Sequence, residues 1–460
     1  MSANPYIYPT HLHEGYPASY EELLARDSRG IPEFLRARGA TDVGPREIPT
    51  SWYLSREIHE REVERLWKRT WQMACREDDV PEVGDTWVYD IAGMSVVIVR
   101  VTSTTIKAFY NSCLHRGVTL RRCPGRVVNL QCPFHGFTWN LDGTFKVAPA
   151  LDQFPQINPA EFKLPEVKVD RWGGFVFVNF DPDAGPLSEF LGGFVSEFTR
   201  VPFDNRVKRL HIQKILNANW KAAQEAFMEG YHVLTTHPQN TAIASDRCSQ
   251  RDAFEHYSRE ILARAVPSEY MKRTPTAQKM YQVGMGRWDD DPDLPPIPAG
   301  KSAREAIADT VRERLRPVFG GKIDGFADAE LVDTICYSLF PNLHPFWSAA
   351  QPMVYRFRPY GDDHTRSILE FMVLTPLAPG ETPPLPAKVK VIAEHEDFNA
   401  APEMGYLAAF LNQDINNLAE IMKGLRNNRR GKVNFSSNAE LKIRHFYSTY
   451  QNVMGLSDSD

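Results

Sequence analysis

The strongest constraint on this chain is a quartet of cysteine and histidine residues. The stretch NSCLHRGVTLRRCPGRVVNLQCPFHGFTWN holds Cys113-x-His115 and, after sixteen intervening residues, Cys132-x-x-His135. Each pair follows a predicted strand and sits in a turn containing glycine or proline, with Pro133 and Gly136 in the second. Two such loops facing each other place two thiolates and two imidazoles around one metal centre. Zinc accepts that donor set. So does a [2Fe–2S] cluster with cysteines on one iron and histidines on the other. One cysteine and one histidine per loop favours the cluster, because zinc fingers usually pair like with like.

The surrounding composition is that of a soluble globular protein of two or three domains: 460 residues, 42% hydrophobic, 24% charged, net charge −5. No basic stripe points to a nucleic-acid or membrane partner. No apolar run reaches the ~18 residues of a membrane span. The opening MSANPYIYPTHLHEGYP lacks the basic and apolar regions of a signal peptide, so a cytoplasmic location is expected. In that reducing setting Cys75, Cys113, Cys123, Cys132, Cys248 and Cys336 point to ligation or packing rather than disulfides.

Along the chain, residues 1–70 read as an arm with a short helix around Tyr20–Arg38 and a helix over 55–72, packing on the catalytic domain. Residues 71–182 read as a small β domain, from runs such as SVVIVRV, IKAFYN and GGFVFVNF. Residues 183–460 read as mixed. RLHIQKIL, TICYSLFPN, PMVYRFRPYG and RSILEFMVLTPL predict strands. NWKAAQEAFMEGYHVL, 252–282, 302–316 and 402–428 predict helices, and DDDPDLPPIPAGKS at 289–302 a surface loop. The expected class is α+β: an all-β domain plus a domain with an antiparallel sheet surrounded by helices.

Two more constellations lie in the second domain. Glu229-x-x-His232-x₄-His237 falls on a predicted helix whose apolar face is Trp220, Ala223, Phe227 and Tyr231, with Glu225, Glu229 and His232 opposite. Pro238 disfavours helical geometry at His237, which lets that imidazole swing back toward His232. Further on, Asp414 interrupts the apolar stripe Leu411, Leu418, Ile421, Leu425. A buried carboxylate needs a cation or strong donors: an arginine, a helix cap or a metal. Two histidines and one carboxylate together make the facial triad of non-haem Fe(II) oxygenases. Lone histidines such as His211, His256 and His344 read as ordinary packing.

From about Trp71 to Phe446 the chain resembles the α subunits of Rieske non-haem iron, ring-hydroxylating oxygenases, with both constellations in the family's order. The resemblance implies a Rieske cluster on Cys113, His115, Cys132 and His135, and mononuclear Fe(II) on His232, His237 and Asp414. It implies that Glu229 bridges the two centres between neighbouring subunits, passing electrons to His232. Val118 and Phe134 stand where respiratory Rieske proteins carry a disulfide, and Cys123 between the loops reads as structural. The implied function is a terminal oxygenase that uses O₂, and electrons from a reductase or ferredoxin fed by NAD(P)H, to hydroxylate or dihydroxylate an aromatic or other apolar ring compound. Its implied assembly is an α3 trimer or α3β3. Two residues depart from the usual pattern. Glu229 replaces the usual Asp, as in relatives acting on quaternary amines, which keeps a monooxygenase or N-/O-demethylase open. Ala226 replaces the Asn of the usual Glu-Asn-Phe. A pure electron carrier or a zinc-stabilised module are the remaining alternatives. Residues 250–360, rich in Phe, Tyr, Met and Leu, are expected to wall the pocket.

Overall fold

The computed structural model describes residues 8–287 and 294–457. Two sheets organise the chain. The first has seven strands in the order Gln72–Arg76, Phe175–Asn179, Glu166–Trp172, Ile106–Tyr110, Met94–Arg100, Asp85–Ile91, Gly125–Arg126. Strand Met94–Arg100 is buried over Val96–Arg100, as a central strand flanked on both sides must be. A separate three-stranded sheet, Leu130–Gln131, Thr138–Trp139 and Phe145–Val147, stands beside it. Its buried Phe137, Trp139 and Leu130, with Leu164, share a core with Val97, Val99 and Phe109 of the larger sheet.

The second sheet has eight strands: Ala244–Ala253, Tyr257–Arg264, Thr334–Leu339, Leu343–Pro345, Met353–Tyr360, Asp363–Pro376, Arg206–Leu216 and Lys390–Ile392. All neighbours are antiparallel except the last pair. Helices Ala303–Phe319, Tyr406–Asn427 and Leu441–Met454 pack around it. Ser302 and Glu305 form the capping box that starts the first of these.

Three expectations need correction. Residues 252–282 are not one helix: they hold the end of one strand, the strand Tyr257–Arg264 and only then a helix, Ala277–Gly284. The charged residues of this stretch form buried ion pairs. Arg259 binds Asp252 at 2.7 Å and Glu197 at 3.1 Å, and Arg251 binds Glu260 at 2.8 Å. The 20–38 arm holds two short helices, Tyr20–Ala25 and Glu33–Arg36. The helix over 55–72 is α-helical only over Arg56–Glu62, followed by a π turn at Val63–Trp67. Within the 289–302 loop, residues 289–293 lie outside the described residues.

The β domain is tied to the larger sheet by buried cations. Arg356 donates to the carbonyls of Met73 and Ala74 and pairs with Glu370, which also holds His211. Arg76 reaches the Arg206 carbonyl at 3.2 Å, and Arg358 the Asp90 carbonyl at 3.0 Å. At the other end Tyr20 and Leu23 of the arm are buried with the catalytic core, and the Tyr20 hydroxyl donates to Asp333 at 3.2 Å.

Candidate metal centres

The two loops of the β domain close in the same way. In the first, the Cys113 amide donates to the Val118 carbonyl and the Gly117 amide returns to the Cys113 carbonyl, both at 2.8 Å. In the second, the Cys132 amide donates to Phe137 at 2.8 Å and the Gly136 amide to Cys132 at 3.1 Å. Gly117 and Gly136 take φ of +75° and +74°, the left-handed region that glycine enters without penalty. The sequence therefore supplies two matching tips, each presenting one sulfur and one imidazole.

The sulfurs of Cys113 and Cys132 are buried, and burial, with the neighbouring Cys132 thiol, pushes the Cys113 thiol up. The His115 and His135 rings meet edge to face at 4.7 Å, and His115 stacks on Phe137 at 4.6 Å. The Nδ1 atoms of both imidazoles are buried without a hydrogen-bond partner. Buried polar atoms left unpaired are costly, so two of them beside two buried thiols mark a place for a ligated group. A single zinc fits poorly. Donors ~2.0–2.3 Å from one ion stand only about 3–4 Å apart, and no three of these four residues bring ligand atoms within 4.8 Å of one another. The wider spacing suits a cluster of two irons. Cys123 is exposed rather than built into the core.

In the larger domain the predicted helix over Asn219–Leu234 is broken. It runs from Trp220 to Glu225, turns through residues 226–232, and resumes only at Val233–Thr236. Trp220 and Ala223 are buried as expected, but Tyr231 is 51% exposed. The opposite face is also split: Glu225 accepts from the hydroxyls of Tyr53, at 2.8 Å, and Tyr447, away from His232. The break brings Glu229 and His232 together by a local turn: the Glu229 carboxylate accepts from the His232 amide at 3.0 Å and from its Nδ1 at 2.7 Å. His237 lies at the helix end, where Pro238 starts a 3₁₀ turn, in agreement with the expectation from Pro238.

Asp414 is buried on the Tyr406–Asn427 helix, on a face made by Leu411, Leu418, Met422 and Leu425. Ile421 is 41% exposed, so Met422 takes its place, as the 3.6-residue period requires. Asp414 Oδ1 lies 2.7 Å from His237 Nε2 and 3.4 Å from His232 Nε2. These three residues are, among the described residues, the set whose ligand atoms all lie within 4.8 Å of one another. Burial disfavours charge on His232, but the Asp414 and Glu229 carboxylates outweigh it and push the imidazole up to about 10. Two imidazoles and a carboxylate are also a donor set for a divalent cation. Gln413, absent from the sequence reading, accepts at 2.8 Å from His237 Nδ1, while Phe410 stacks on that ring at 3.8 Å. The only hint was a polar residue beside a buried acid.

A cavity of about 270 Å³ opens onto this triad. Residues 250–360 supply much of its wall, including Leu262, Ile307, Phe346, Met353 and Tyr355, as expected. Arg264 and Glu260 also line it.

The family model for the ring hydroxylating alpha subunit (catalytic domain) matches residues 203–456, and that for the Rieske [2Fe–2S] domain matches residues 70–163. The chain belongs to the ring-hydroxylating α-subunit family. Among curated relatives, it is 28% identical over 194 residues to the carnitine monooxygenase oxygenase subunit of Acinetobacter baumannii, covering 42% of this chain and 52% of that one. It is 28% identical over 212 residues to the 2-aminobenzenesulfonate 2,3-dioxygenase subunit alpha of an Alcaligenes species, covering 45% and 53%. The chain thus spans about half the length of these curated relatives. The structure of the quaternary ammonium Rieske monooxygenase CntA in complex with L-carnitine aligns with a TM-score of 0.64 at 17% identity, covering 90% of this chain and 96% of that one. At that identity the likeness speaks for the fold. Among the described residues no helix is long and apolar enough to cross a membrane.

Proposed function

We propose that this protein is the terminal oxygenase of a multicomponent system, and that it hydroxylates one position of a small organic substrate in the cavity above His232, His237 and Asp414. The observation that carries the reading is the convergence of these three side chains at the floor of an apolar-walled cavity, in a chain that also carries the Cys113/His115/Cys132/His135 loops. Cys113, His115, Cys132 and His135 hold a [2Fe–2S] cluster, and His232, His237 and Asp414 hold iron. When bound, the cluster supplies single electrons from an external reductase or ferredoxin, and the iron supplies the chemistry of O₂ activation.

The chain's own residues set the stage for that chemistry. Glu229 and Gln413 accept from the Nδ1–H of His232 and His237, which orients both imidazoles with Nε2 turned toward Asp414, where the three side chains would hold iron. Three ligands on one side leave the cavity side free for substrate. Phe227, Phe346, Tyr355 and Phe410 keep that side largely apolar and so limit competing water. Aromatic walls also suit a quaternary ammonium group.

Monooxygenation is favoured over dihydroxylation by Glu229 in the bridging position and by the relatives named as carnitine, choline and glycine betaine monooxygenases. Glu229 is proposed to link His232 to the cluster of a neighbouring chain in a trimer. Turnover under ¹⁸O₂ tests the choice: one labelled oxygen per product supports monooxygenation, and two on adjacent carbons establish dihydroxylation.

A further inference from the structure

The cavity has two unlike ends. Strand Tyr257–Arg264 turns Glu260, Leu262 and Arg264 to the same side, as a period of two requires, and all three line the cavity. Glu260 and Leu262 mark the end near the metal: Glu260 Oε1 and both Leu262 Cδ atoms lie 3.6 Å from where a side chain on Gly230 would begin, two residues before His232. Arg264 stands two residues past Leu262, about 7 Å further along the strand. The Tyr406–Asn427 helix points the same way. Tyr406, whose phenol acts electrostatically on Arg264, precedes Asp414 by eight residues, about 12 Å of helix. Both rulers put Arg264 and Tyr406 at the end of the cavity remote from the three ligands.

Among the described residues, the carboxylates of this strand and of Asp333 beside Arg264 are already engaged. Asp333 accepts from both Nη atoms of Arg304, at 2.7 and 2.8 Å, from Tyr20 at 3.2 Å, and from the backbone amide of Arg264 at 2.9 Å. Glu260 is paired with Arg251 at 2.8 Å. Among the described residues the Arg264 guanidinium has neither a carboxylate within 4.0 Å nor a hydrogen-bond acceptor. Burial pulls this arginine down to about 10, the mark of a cation removed from water without a full counter-charge. A second cation, Arg314, lies exposed among the lining residues and favours entry of anions.

We infer that Arg264 is a specificity residue that binds the carboxylate or sulfonate of an organic anion, and so holds the opposite end of the molecule toward His232, His237 and Asp414. The planar guanidinium offers two parallel donors, the geometry a carboxylate or sulfonate accepts. The anion supplies the counter-charge that Arg264 lacks, and the apolar wall covers the rest of the molecule. A site built around a buried ionic contact rejects the uncharged analogue strongly, because the cation is then left unpaired. The inference rests on the oxygenase reading for the location of the reacting end, but not for the binding itself.

The test is a binding measurement on anaerobic holoenzyme, without turnover, with iron and sulfide counted on the same sample. Two matched probe pairs are titrated by calorimetry: 4-phenylbutanoate against 4-phenylbutanamide, and γ-butyrobetaine against its primary amide. At least one carboxylate is expected to bind wild type ten times or more tighter than its amide. In Arg264→Gln that ratio falls below about two while the amide affinity holds, and in Arg264→Lys part of it returns. Cluster absorption verifies that both variants are folded. Equal binding of acid and amide to wild type, no binding of either acid, or an undiminished ratio in Arg264→Gln each overturns the assignment. The metal count reports separately on the oxygenase reading: an iron-free protein that still prefers the acid through Arg264 removes that reading and leaves this one standing.

Discussion

Glu229 and Gln413 perform the same task on two histidines with different charge. Each accepts from an Nδ1, but only Glu229 adds a full negative charge beside its imidazole. Glu229→Ala is expected to keep the cluster and most of the iron while turnover falls by about 100-fold or more. Metal analysis beside single-turnover kinetics checks this, and normal turnover would remove Glu229 from its bridging role. Glu225, four residues earlier, illustrates a different constraint. Burial, opposed by the Tyr447 and Tyr53 hydroxyls, pushes its carboxyl up to about 7 from 4.5. The folded state therefore holds this proton more tightly than the unfolded chain, and its contribution to stability is lost as pH rises from about 4.5 through 7. Glu225→Gln should gain stability relative to wild type between pH 5 and pH 8, by up to about 3 kcal/mol. Unfolding midpoints at the two pH values decide it, and a gap that does not widen with pH contradicts the assignment. The sequence shows Glu225 as an acid on a helix. Its partners, Tyr53 and Tyr447, lie far away in the chain, so no local pattern reveals them.

At the scale of elements, the parts written in local chemistry are the ones the sequence discloses. The loops around Cys113 and Cys132 announce themselves because ligands and turn residues are close neighbours. The end of the helix at His237 follows from Pro238. What stays hidden depends on distant packing: the break between Glu225 and Val233, and the strands Ala244–Ala253 and Tyr257–Arg264, whose buried Arg and Asp residues imitate a solvated helix. A substitution at Gly136 tests the loop argument. A Cβ there meets only the Pro149 ring, Cγ at 3.5 Å and Cδ at 3.6 Å, both ordinary contacts, so Gly136→Ala is destabilised chiefly by its φ of +74°, about 1–2 kcal/mol. Cluster loss on heating should occur at a lower temperature in this variant, with the iron site unaffected. A variant that retains its cluster as wild type does would show that the tip tolerates another conformation. On the long helix, Leu411→Ala removes a side chain 1% exposed beside the acid and should cost ~2–5 kcal/mol, seen as a lowered denaturation midpoint.

For the whole molecule, the α+β class and the pairing of a β domain with a larger antiparallel sheet were legible from strand texture and motif order. The docking of the two was not, since Arg356, Arg358 and Arg76 reach across by contacts to backbone carbonyls that no motif encodes. The assembly adds a further expectation. With Glu229 linking neighbouring chains as proposed, a Cys132→Ser chain and a His237→Ala chain should each be inactive alone. Co-expressed in one oligomer they should regain measurable turnover, whereas no recovery would confine electron transfer to single chains.

The central claim is that one chain holds two distinct iron centres, and a metal and sulfide count on anaerobically purified protein, with the EPR spectrum of the dithionite-reduced sample, tests it most directly. Two centres require about three irons and two acid-labile sulfides per chain with a Rieske-type reduced signal, falling to about two irons in His237→Ala. Zinc without sulfide, or two irons unchanged by His237→Ala, would contradict it.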